Sequence, residues 1–96
     1  MSRYVLSPRA QDDLSSIWDY TAERWGMQQA DDYLRILRRA METVADDPRK
    51  GHSCDEVREG YRKYRAGSHM LIYRKIKAGV DIVRVLHSRM DFERHL

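Results

Sequence analysis

Toward the C-terminal end of the chain, His87, Arg89 and Asp91 alternate directly after an apolar stretch. A histidine so placed suits a general base with a carboxylate to orient it, and equally a strand-end histidine bonded to backbone. We take the second reading and assign no catalytic residue. A second group, Arg62, Lys63, Arg65, Arg74 and Arg84, is interleaved with Tyr61, Tyr64 and Tyr73. Guanidinium groups pair bidentately with carboxylates and phosphates, and aromatic rings stack on bases, so such a set suits an acidic peptide segment or a nucleic-acid strand. Alternation along a strand sends Arg62 and Lys63 to opposite faces, so the five cations cannot form one patch. No RNP-type string is present, which leaves RNA binding the lesser reading and sequence-specific nucleic-acid binding unexpected. His52, Cys54, His69 and His95 are the residues suited to zinc, but His52-x-Cys54 lacks the paired spacing of a zinc site, and no metal or other cofactor is expected. Cys54 lies in a polar stretch with no motif to lower its pKa and reads as incidental.

The elements that must position these groups follow from periodicity. Tyr4-Val5-Leu6 is a short extended run, and Ser7-Pro8 starts a helix, serine as N-cap and proline where a missing N–H costs nothing. Leu14, Ile17, Trp18, Thr21, Ala22 and Trp25 then recur at steps of three and four, and Gly26 is the expected stop. From about Gln28 the period resumes through Ala30, Tyr33, Leu34, Leu37, Met41, Val44 and Ala45, until Asp46-Asp47-Pro48 closes it. So short a connection implies an antiparallel helical hairpin. Arg49 to Glu56 has no period and reads as loop. Three strands follow, Val57–Arg65 around Gly60, His69–Ile76, and Val80–Leu86 after a Lys77-Ala78-Gly79 turn. Met70, Ile72 and Ile76 share one face, while Val83 and Val85 oppose Ile82 and Leu86. Apolar residues on both faces make the last strand a central one. The remaining stretch, with Met90, Phe92 and Leu96, suits one short helical turn. The order β-α-α-β-β-β describes a single α+β domain over residues 1–96, in which the N-terminal strand and a helical hairpin pack on an antiparallel sheet.

Composition agrees with this reading. The chain has 96 residues, 42% hydrophobic and 34% charged, too few for two cores. A domain of this size buries only about two-thirds of the surface its unfolded chain exposes, so a partner that covers apolar surface is expected. The longest uncharged apolar stretch, Met70–Tyr73, excludes a spanning helix. One cysteine and an N-terminus without an apolar signal region point to the cytoplasm. The net charge of +3 is unevenly spread, with six Arg against nine acids in residues 1–48 and eight Arg and four Lys against six acids in residues 49–96. The second half is therefore the one that attracts an acidic partner.

Several strings taken in order resemble the ParE branch of the RelE/ParE toxin superfamily of bacterial toxin–antitoxin systems. They are Tyr4-Val5-Leu6-Ser7-Pro8-Arg9-Ala10 with Asp12-Asp13-Leu14 and Ile17-Trp18-Asp19-Tyr20, then Gly60-Tyr61-Arg62-Lys63-Tyr64-Arg65, Ile72-Tyr73-Arg74, and Ile82-Val83-Arg84-Val85-Leu86-His87-Ser88-Arg89-Met90-Asp91. The resemblance covers nearly the whole chain. It implies a toxin neutralised by a ParD-like antitoxin in a hetero-oligomer, expected as a heterotetramer, with DNA gyrase as target.

The same resemblance supplies an alternative, a ribosome-dependent mRNA endoribonuclease of RelE type. Its basic positions map on or near Arg62 and Arg89. A lysine of that pattern falls on Tyr64, an arginine near His69 or Met70, and the tail has no tyrosine. Activating a ribose hydroxyl and holding a pentavalent phosphate takes a base, an acid and fixed positive charge, and this set is incomplete. The expected action is thus binding, with Arg84, His87, Arg89, Met90, Phe92 and Arg94 toward the target. The antitoxin is expected to lay a helix on Trp18, Tyr20, Trp25, Tyr33 and Leu37 and an acidic segment on Arg62, Tyr64, Arg65 and Arg74. For Trp18 and Trp25, core or half-buried groove positions are the simplest packing, Leu37 reads as core, and buried packing is the default for Tyr20, Met27 and Tyr33.

Overall fold

A computed structural model describes residues 3–89 and 94. The elements are β1 (Arg3–Leu6), α1 (Pro8–Trp25), α2 (Met27–Asp46), a single 3-10 turn (Pro48–Lys50), β2 (His52–Ser53), β3 (Tyr61–Ala66), β4 (His69–Ile76) and β5 (Gly79–His87). The fold is α+β as expected, two helices on one face of a five-stranded sheet ordered β1-β5-β4-β3-β2. The sheet is mixed: β1 pairs parallel with β5, and the other pairings are antiparallel. A parallel neighbour needs a long crossover, and the two helices, β2, β3 and β4 supply it.

Helix boundaries follow local chemistry. The Ser7 hydroxyl accepts the Ala10 N–H at 3.0 Å and donates to the Val83 carbonyl at 2.7 Å, so one side chain caps α1 and ties its start to β5. Gly26, at φ 94°, is the single residue between the helices, a conformation that only glycine adopts without strain. The Trp18 indole N–H donates to Asp31 at 2.9 Å, which fastens α1 to the start of α2. Ala10 of α1 and Leu37, Ala40, Met41, Val44 and Ala45 of α2 pack on Ala66, Leu71, Tyr73, Val80, Ile82 and Val85 of the sheet.

Three sequence expectations change. The stretch read as loop contains the 3-10 turn and β2, because Tyr73 reaches it: its hydroxyl donates to the Pro48 carbonyl at 2.6 Å and accepts the Gly51 N–H at 3.0 Å. A Cβ on Gly51 would collide with that hydroxyl, so the glycine is required by close approach. The strand expected from Val57 begins only at Tyr61, since the Val57 and Arg58 N–H groups turn back onto the Cys54 carbonyl. Finally, Val85 does not oppose Ile82. The β4–β5 register steps from Ile72↔Arg84 to Tyr73↔Ile82, a bulge at Val83 that brings Ile82 and Val85 to the same core-facing side. β5 is interior, flanked by β1 and β4.

Candidate interaction surfaces

Two surface regions and one closed cluster hold the residues singled out by sequence. The first region is the tip of the helical hairpin. Tyr20, Trp25 and Met27 are 57%, 62% and 67% exposed. The Tyr20 and Trp25 rings meet edge to face at 6.4 Å, and the Arg24 guanidinium lies 5.3 Å and 5.5 Å from their centroids. Buried packing therefore does not hold for Tyr20, Trp25 or Met27: each stands near the one-residue turn, beyond the reach of the sheet. Trp18 is half-buried, as a groove position requires. Leu37 is fully buried in the core and offers no surface to an antitoxin, which corrects its assignment as a contact.

The second region is the sheet face away from the helices. Pairing across strands sets Lys63, Arg65, Arg74 and Tyr61 on it. Arg74 pairs with Asp81 at 3.1 Å while remaining half exposed, and the Arg65 Nε–H donates to the Gly67 carbonyl at 3.3 Å. Arg62 lies on the opposite, helix-facing side, where its guanidinium donates to the Gly51 carbonyl at 2.6 Å and the Arg49 carbonyl at 3.3 Å. It braces the loop, and its assignment to an acidic antitoxin segment is corrected on that ground. Tyr64 shares that side and packs against the core.

The closed cluster lies where β5 outruns β1. There Asp13 of α1 accepts both the Arg84 Nε–H at 2.8 Å and an Arg84 Nη2–H at 2.9 Å, and also the Val85 backbone N–H at 2.9 Å. The side chains of Asp13 and Arg84 are each only 15% exposed. The carboxylate pushes the already high Arg84 pKa further up, against the opposing effect of burial. Arg84, expected to face the target, is thus held inside the molecule. Beside it, Tyr33 Oη lies 2.6 Å from His69 Nδ1, and the His69 and His87 rings meet at 5.4 Å. Burial, then the neighbouring His87, holds His69 below the ordinary histidine range, while Asp13 pulls the other way. Arg89 and Arg94 are exposed; the expectations for Met90 and Phe92, and most of the helical turn, fall outside the described residues.

Asp13, Tyr33 and His69 are linked in ways that sequence reasoning missed, since Asp13 and Arg84 are 71 positions apart and no local pattern connects them. Cys54 is buried, and burial followed by the nearby Glu56 pushes its thiol pKa up, the reverse of an activated nucleophile. Among the described residues, no three His, Cys, Asp or Glu side chains converge as a metal site would require, and no helix is long and apolar enough to cross a membrane.

A family model described as "ParE toxin of type II toxin-antitoxin system, parDE" matches residues 4–92. The chain is 56% identical to Toxin ParE1 of Mycobacterium tuberculosis over 99% of its own length and 98% of that protein's. It is 44% identical to Toxin ParE1 of Caulobacter vibrioides, covering 100% of this chain and 99% of the relative. Among solved structures, a chain of the chromosomal ParDE toxin–antitoxin system from P. aeruginosa superposes with a TM-score of 0.77 over 91% of this chain and 96% of that one; at 16% identity this likeness concerns the fold.

Proposed function

Because the chain belongs to the ParE toxin family of type II toxin–antitoxin systems, we propose that it acts by binding rather than by turnover, inhibits DNA gyrase, and is silenced by a ParD-like antitoxin. The observation that carries the antitoxin half is the exposed aromatic tip at Tyr20, Trp25 and Met27. Large apolar side chains left in water on so small a domain suit a partner surface, and their cover would add the burial that the domain lacks. An amphipathic helix of the antitoxin seats on that tip beside Trp18 and Tyr33. An acidic extended segment lies along the basic outer face at Arg65 and Arg74, where charge complementarity favours it. A heterotetramer is the expected assembly, in the cytoplasm.

The target half is carried by the position of Arg89, exposed directly after β5. Gyrase binding is assigned to Arg89 and His87, and, on the sequence, to Met90, Phe92 and Arg94. The inward roles of Arg62 and Tyr64 support binding over RelE-type cleavage, since those positions serve packing and loop bracing here.

The test adds purified, antitoxin-free protein to gyrase, relaxed plasmid and ATP. Supercoiling is expected to stop, and linear cleaved DNA to accumulate, with relief on adding the antitoxin. Normal supercoiling beside folded protein that is toxic in cells would overturn the gyrase assignment, and A-site cuts in mRNA during expression would support the endoribonuclease instead. A variant with Arg89, Phe92 and Arg94 all changed to Ala is expected to stay folded and lose toxicity.

A further inference from the structure

His69 and His87 face each other in register across β4 and β5 at the end of the sheet from which the chain leaves β5. Their rings meet at 76° with centroids 5.4 Å apart, and the Tyr33 ring stands edge-on to His69 at 5.5 Å. The hydrogen bonds around them have a polarity. The Arg89 N–H donates to His87 Nδ1 at 3.2 Å, so that nitrogen carries no proton. The Ser68 N–H donates to the Tyr33 hydroxyl at 2.9 Å, which leaves the hydroxyl proton available for His69 Nδ1 at 2.6 Å. The Ser88 N–H closes the arrangement on the Ser68 carbonyl at 3.0 Å.

We propose that these contacts form a proton-operated latch, in which His69, set against His87 and the Tyr33 hydroxyl, holds the exit of β5 against the β3–β4 turn and its protonation releases Ser88 and Arg89. A proton on His69 Nδ1 removes the acceptor for the Tyr33 hydroxyl, the group that also holds the Ser68 N–H, and puts a positive charge against the His87 ring, whose Nδ1 holds the Arg89 N–H.

The groups facing the pair are Tyr33 from α2, Asp13 from α1, Arg84 on β5 and Arg89 after it. Asp13 alone favours the charged form of His69, and its carboxylate is already engaged by Arg84 and the Val85 N–H. The sign follows. His69 binds its proton less readily folded than unfolded, so the stability it contributes is complete above the unfolded value of 6.5 and is lost as pH falls below that value and through the lower folded one. The latch is closed near neutrality and opens on acidification.

The test is an NMR titration of the free, full-length protein from about pH 8 to about pH 5, following the imidazole rings and the amides of Ser68, Ser88 and Arg89. The Ser88 and Arg89 amides are expected to move with the midpoint of the His69 ring. Hydrogen-exchange protection at Ser88, corrected for intrinsic rates, is expected to fall about tenfold across it. The substitution His87→Asn should raise the His69 midpoint and uncouple the Arg89 amide from it. Ring titration with the Ser88 and Arg89 amides unmoved overturns the latch, as does a His69 midpoint at the ordinary histidine value; the unsubstituted protein decides this even where His87→Asn fails to fold. None of these readouts involves gyrase, so the latch and the proposed function stand or fall separately.

Discussion

The open edge of β5 and the tip of the helical hairpin treat their side chains in opposite ways. Past the end of β1, β5 has backbone groups that no neighbouring strand covers. The Ser7 hydroxyl takes the Val83 carbonyl and Asp13 takes the Val85 N–H, along with the Arg84 guanidinium. The edge is thereby closed by the protein's own side chains, which removes a template for pairing with another chain. At the hairpin tip, Tyr20 and Trp25 meet each other beneath the Arg24 guanidinium, and these three and Met27 remain exposed to water. The contrast separates residues that complete the fold from residues left over for a partner, and the same residue type falls on both sides: Arg84 completes, Arg24 is left over.

Substitution should break the closed edge first. Replacing Asp13 by Ala removes two carboxylate hydrogen bonds from a largely buried guanidinium and one from a backbone N–H, and unfolding by urea should show a loss of about 3 kcal/mol. At the hairpin tip the balance inverts. Trp25→Ala should leave the urea midpoint nearly unchanged yet weaken antitoxin binding by about 2 kcal/mol, about thirtyfold in Kd by titration calorimetry. An equal loss of stability would place Trp25 among the residues that complete the fold. Tyr73→Phe sharpens the comparison from within the core. It removes the hydroxyl that bonds Pro48 and Gly51 and should cost about 1–2 kcal/mol, with faster amide exchange at Gly51. The smallest effect is expected for Arg74→Ala, whose exposed pair with Asp81 is worth about 0.5 kcal/mol at most. A larger change in antitoxin affinity than in stability there would mark the outer sheet face as a second open region.

Much of the fold was legible in the chain because its signals are local. Ser7-Pro8 and Gly26 bound α1, Asp47-Pro48 ends α2, and the limits of β4 follow from alternation alone. The short β2 and the bulge at Val83 were not legible, since each is accompanied by a contact from elsewhere in the chain, Tyr73 on the loop and Ser7 on the Val83 carbonyl; the late start of β3 is a local turn of Val57 and Arg58 onto Cys54 that the strand period does not show. Of the candidate contacts, opposite faces for Arg62 and Lys63 followed from the strand period. The core place of Leu37 followed from the helical period; that Arg62 turns toward the helices while Trp25 stays outside did not, because periodicity tells which residues share a face and not what lies against it.

By itself the sequence determined the element types, their order, the basic second half and, through strings spread along nearly the whole chain, a resemblance to one toxin family. These are properties of neighbouring residues and of sums over them. Only the tertiary structure decided the parallel pairing of β1 with β5, the Asp13–Arg84 pair and the meeting of Tyr33, His69 and His87. Each joins segments far apart in the chain, and such contacts form only when burial of one common core brings distant elements together, at positions that no local spacing encodes.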